Sequence, residues 1–78
     1  MTRTYTYTFK HPTKTANGWT VEDKTLTKRV TDKMEERNAH KAGYAARYFN
    51  DVLRAEYGYH TSPVTAARVT EITKGAKA

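Results

Sequence analysis

The residue types that most often do chemistry are present in this sequence, but they are not arranged for it. His11, His40 and His60 stand far apart and lack the i, i+4 or Cys-x-x-Cys partners of a zinc site. Ser62 is the sole serine, in a Ser-Pro step without the glycine-flanked turn of a nucleophile elbow. The four glycines are never clustered, so no loop is built to cradle a phosphate. The carboxylates are scattered as well: Glu22 and Asp23 sit together, Asp32, Glu35 and Glu36 crowd one helix start, and Asp51, Glu56 and Glu71 stand singly. A chain of 78 residues rarely encloses a pocket that excludes water. The expectation is a protein that is not an enzyme, with no catalytic, metal or cofactor-binding residue, no cofactor and no small-molecule substrate.

Charge is what the sequence does arrange. Lysine and arginine total 14 against 8 aspartates and glutamates, a net charge of +6 that favours polyanion partners. Residues 32–57 read as one long amphipathic helix. At about 100° per residue, Met34, Ala42, Ala45, Phe49, Val52 and Leu53 gather on a core face. Lys33, Arg37, His40, Tyr44, Arg47 and Arg54 gather roughly 160° away, with Lys41 at their edge and only Asp51 interrupting them. Such a stripe is by default a solvated surface. Tyr44 tips it toward nucleic acid, because a stacking ring flanked by cations suits bases and phosphates together.

The helix has clear ends. Asp32 and Glu35 form an Asp-x-x-Glu capping box, Glu35 and Glu36 suit the positive end of the helix dipole, and Gly58 is the expected αL terminator. Glu56 falls on the apolar side in the last turn and is expected at the rim.

The remaining elements must give this helix a partner. Residues 2–10 alternate, with Arg3, Tyr5, Tyr7 and Phe9 on one face and Thr2, Thr4, Thr6, Thr8 and Lys10 on the other. That is the pattern of a half-buried strand whose aromatic face meets the helix. Pro12 breaks the pattern, and Asn17-Gly18 suits a type I′ hairpin turn. That turn would set Ala16 opposite Trp19, Phe9 opposite Leu26 and Tyr5 opposite Val30. Trp19 and Val21 would then face away from Leu26, a conflict that a bulge near Pro12 or Asp23 would repair. Residues 19–30 form the second strand. Residues 59–62 connect to a third strand over 66–73, which is rich in β-branched side chains, and 74–78 form a flexible basic tail.

The result is an α+β fold, β-β-α-β, within a single domain over 1–73. It is a three-stranded antiparallel sheet in the order 2-1-3, with one long helix on one face. The other face is open and lined by Thr4, Thr6, Thr8, Lys10, Thr25, Thr27 and Arg29. It offers a second route to DNA, through threonine hydroxyls and salt-dependent cation contacts. Trp19 is expected to cap the core at the helix end; exposed, it would anchor a partner.

No cysteine and no apolar run long enough to span a bilayer point to a cytoplasmic protein with no membrane partner. The leading expectation is a small nucleic-acid-binding protein. The alternative is an inhibitor or adaptor, of the kind phages and mobile elements carry, acting on an acidic protein surface or by edge-strand addition. A thin core with two free edges also leaves room for a homodimer.

Overall fold

The computed structural model describes residues 2–58 and 63–77. Two strands of equal length, β1 (Arg3–Thr15) and β2 (Gly18–Val30), form a hairpin, followed by helices α1 (Lys33–Ala39) and α2 (Ala42–Tyr57). A short 3-10 turn, Ala66–Arg68, leads into β3 (Val69–Lys77). The sheet is antiparallel in the order β2-β1-β3, as the crossover rule requires.

Alternation in β1 has the expected result. Tyr5, Tyr7 and Phe9 are buried, and they form the core with Val30, Ala39, Ala45, Ala46, Phe49, Leu53 and Val64. Phe9 stacks on Phe49 with ring centroids 4.2 Å apart, and Tyr7 meets Phe49 edge-on at 5.6 Å. The alanines of α2 let the helix lie close enough for these rings to interlock.

The hairpin register differs from the expected one by two residues. Thr15 pairs with Gly18, so the turn centres on Ala16 and Asn17, and Tyr7 rather than Phe9 faces Leu26. Neither central residue has a positive φ; Gly18 takes φ +114° just after them. A type I′ turn needs positive φ at both central positions, so the Asn-Gly step sits one place too late to be one. Thr15 replaces it with local bonds: its hydroxyl donates to the Gly18 carbonyl at 2.9 Å and accepts from the Asn17 N–H at 3.3 Å.

No bulge repairs the β1–β2 ladder. The strand runs straight through Pro12, which pairs with Val21. β3 pairs with β1 only from Arg3 to Phe9, so at Pro12 no strand stands on the far side to need the missing N–H. Trp19 therefore does not cap the core: it is 72 % exposed and Val21 62 % exposed, both on the open face.

The expected single helix is two. α1 ends at Ala39, and the Lys41 N–H turns back to the Asn38 carbonyl at 2.9 Å. The buried Tyr7 hydroxyl donates to the Ala39 carbonyl at 3.0 Å, giving an acceptor at the helix terminus a partner from the sheet. The break puts the two helices out of phase. Met34, assigned to the core face by continuous periodicity, is 73 % exposed, while Ala39 takes a buried place. Asp32 caps the helix as expected, but the return bond to Glu35 comes from Thr31 rather than Asp32. Gly58 ends α2 with ψ −156° rather than in the αL conformation. Asp32 accepts from the Glu35 N–H at 2.7 Å, and the Glu35 carboxylate accepts from the Thr31 N–H at 3.4 Å. Gly58 has φ +72°, and Glu56 is exposed.

The crossover to β3 is pinned by a side chain. Asn50 on α2 accepts from the Val64 N–H at 2.7 Å and donates to its carbonyl at 3.0 Å, mimicking a strand. Arg68 adds a bond to the Pro63 carbonyl at 3.0 Å. β3 starts later than expected and continues through residues 74–77, so the expected tail is mostly sheet. Shifts between Arg3 and Tyr5 and between Thr8 and Phe9 make its pairing irregular. At the first, Gly75 lies so close to Thr4 that any Cβ would run into the Thr4 carbonyl. The expected connector over 59–62, with His60 and Ser62, lies outside the described residues, as does Ala78.

Candidate functional site

The cations of the helical layer divide between α1, the break and α2. Lys33 and Arg37 are exposed on α1, His40 and Lys41 at the break, and Arg47 and Arg54 on α2. Tyr44 is half-buried, one turn before Tyr48, on the flank of α2 that leans over β2. It sits at the margin of the basic surface rather than at its centre.

The neighbouring acids do not neutralise this surface. Glu36 of α1 pairs with Arg3 of β1 at 3.5 Å, and Glu35 pairs with Lys28 of β2 at 3.8 Å. Both carboxylates are thus engaged on the sheet side. Among the described residues Lys33, Arg37, Lys41 and Arg47 have no ion-pair partner. Arg54 is engaged in an interaction of its own. The outer layer therefore keeps its positive excess, with the exposed Asp32 and Asp51 as the acids that still face outward on it.

Two tyrosine–lysine contacts border it. Tyr48 donates its hydroxyl to the Thr27 carbonyl at 2.7 Å, and Lys28 lies 5.0 Å from its ring centroid. Burial raises the Tyr48 phenol above its ordinary value, with Lys28 opposing the shift. Burial does the same, more strongly, to Tyr7 beneath the break. Lys24 stands 6.0 Å from the Tyr57 ring. Sequence reasoning passed over Tyr48 and Asn50, which the fold uses to lock α2 to β2 and to the crossover. Their signal was weak, since each falls beside the apolar stripe rather than in it.

No family model, curated protein or solved structure matches the chain. The functional reading thus rests on the geometry alone.

The open sheet face is a different surface. Thr4 and Arg29 are exposed opposite each other, Thr6 faces Thr27, and Thr8 faces Thr25. Lys10 pairs across the strands with Asp23 at 3.4 Å, which removes it from any free basic track. Thr6 and Thr8 are half-buried in the central strand, and the Thr8 carbonyl accepts from the Thr70 hydroxyl at 3.3 Å. Beyond them the hairpin continues to Trp19, and among the described residues no third strand pairs with it there.

His11 lies on the helix-side face of this extension. It is only 8 % exposed, packs edge-on to Phe9 with centroids 6.0 Å apart, and neither ring nitrogen has a hydrogen-bond partner. Burial, aided by Lys24 and Arg68, pushes its pKa below the ordinary value. The buried Thr13 hydroxyl beside it is also unpartnered. Among the described residues no helix is long and apolar enough to cross a membrane.

Proposed function

We propose that this chain is a small, non-enzymatic nucleic-acid-binding protein of the cytoplasm, which offers the outer face of α1 and α2 to the phosphate backbone of DNA or RNA. One observation carries the reading. Lys33, Arg37, Lys41 and Arg47 are exposed without ion-pair partners, while Glu35 and Glu36 are held against the sheet by Lys28 and Arg3. Exposed cations on a fixed scaffold release counterions from a polyanion, and that release dominates non-specific nucleic-acid affinity.

The test is a charge-reversed variant, Arg37→Glu with Lys41→Glu and Arg47→Glu. These side chains are exposed, so circular dichroism should show the native fold. Binding to a labelled oligonucleotide at low salt should be lost. In the parent chain log K should fall linearly with log salt, with a slope near −0.7 to −0.9 per phosphate neutralised. Retained binding in the variant would reject the helical face. Co-purification of a partner that survives nuclease treatment would replace this reading with a protein-directed inhibitor or adaptor, docking the same cations on an acidic surface.

A further inference from the structure

We infer that the free end of the β1–β2 hairpin is a second contact point for the same polyanion, with Trp19 stacking on an unpaired base of a single strand. The inference rests on the nucleic-acid reading above and narrows it to a substrate class.

The placement of the indole is the first observation. Residues 10–15 pair with 18–23 beyond the last β1–β3 pairing at Phe9–Val69, so this part of the hairpin is a two-stranded ribbon. Trp19 lies across from Lys14, and Val21 across from Pro12, on the face turned away from the helices. The indole is 72 % exposed, and among the described residues no ring stacks on it and no cation lies over its face. A two-stranded ribbon is marginal in water, and an unpacked tryptophan adds nothing to it.

Local charge is the second observation. No acid occurs from residue 12 to residue 21, and the next carboxylate on this face, Asp23, is neutralised by Lys10 at 3.4 Å. The open face of the ribbon end therefore presents Trp19 and Lys14 without an unpaired carboxylate, Glu22 lying on the other face. An aromatic plate beside a cation is how proteins hold a base and its phosphate together.

Geometry selects the kind of strand. Trp19 and the helical cations lie on opposite sides of the sheet, and the molecule measures 45 × 21 × 20 Å. A duplex, stiff over about 150 base pairs, cannot bend round a body of that thickness. A flexible single strand can, and only unpaired bases offer a free face for stacking. A second copy of the chain fits less well, because a two-fold contact through this small patch would set Lys14 near its own counterpart. A bilayer fits less well too, because the apex is Ala16-Asn17 flanked by threonines rather than an apolar tip.

Trp19 is the only tryptophan, so its fluorescence reports this site alone. The full chain should be titrated with an oligothymidylate, a duplex of equal length, an abasic strand and anionic vesicles, with fluorescence anisotropy of labelled strands measured in parallel. Saturable quenching by the oligothymidylate, with little from the duplex or the abasic strand, is the expected result. Trp19→Ala should then weaken single-strand binding roughly five- to a hundredfold, the loss of one base–aromatic stack, while Trp19→Phe retains most of it. Anisotropy that reports binding without quenching, or equal quenching by duplex, overturns this inference and leaves the helical reading standing. A blue shift on vesicles alone assigns the tip to lipid and overturns it as well. No binding in any arm removes both.

Discussion

The two halves of one hairpin show how little an alternating pattern settles alone. From Arg3 to Phe9, β1 lies between two strands and under two helices, and its odd-numbered aromatics are among the largest fully buried side chains of the described residues. From Lys10 onward the same strand has one neighbour, and its partner residues Trp19 and Val21 are the exposed ones. β1 alternates threonine with tyrosine and phenylalanine before that boundary and carries Lys10, His11, Pro12 and Lys14 after it. Trp19 and Val21 stand on the open face, which no helix covers, whereas His11 on the helix-side face of the same stretch is only 8 % exposed. Burial belongs to the cover, and alternation decides only which face would receive it.

The comparison is broken most severely in the covered half. Phe49→Ala removes the ring that stacks on Phe9 and abuts Tyr7, and should cost about 3–5 kcal/mol in denaturant unfolding. A small loss would mean that the interlocked rings are not the core. Asn50→Ala should cost about 1–3 kcal/mol, because it strands the Val64 N–H and carbonyl that the amide now satisfies. Faster hydrogen exchange in β3 than in β2 would mark the same variant as a crossover defect.

At the boundary, His11 sharpens the contrast through pH. Its folded pKa lies below the ordinary 6.5, so the unfolded chain takes up a proton first as pH falls. Stability should be complete above about 6.5 and decline below it toward the lowered folded value. His11→Phe keeps a ring against Phe9 and should flatten that decline; an unchanged acid profile would show that other groups govern it. The smallest effect belongs to the free half. Trp19→Ala should leave unfolding within about 0.5 kcal/mol of the parent, and a larger loss would mean that the indole is packed.

Much of the architecture was legible because local signals agreed. The Thr-Tyr alternation, the Asp32–Glu35 cap and the Gly58 stop each determined an element, and crossover rules then left one strand order. The hairpin register slipped by two because Thr15 builds the turn with its own hydroxyl one step before the Asn-Gly pair. The split at His40 and Lys41 was hidden for a different reason. Gly43, two places later, is the nearest glycine and does not itself set the break; part of what holds it is a bond from Tyr7, over thirty positions away in sequence. Residues 74–77 looked like a tail because the irregular pairing that admits them depends on Gly75 passing close to Thr4. The candidate stripe fared similarly. Its cations were readable from spacing, but that Glu35 and Glu36 turn toward Lys28 and Arg3 required three dimensions.

The Tyr7–Ala39 bond reaches further than its one partner. It joins the middle of the sheet to the articulation between α1 and α2, so a single phenol helps fix the direction in which Lys33 and Arg37 point relative to Arg47. Removing that oxygen with Tyr7→Phe would leave every charge in the protein unchanged. The positive surface would keep its strength and lose its shape.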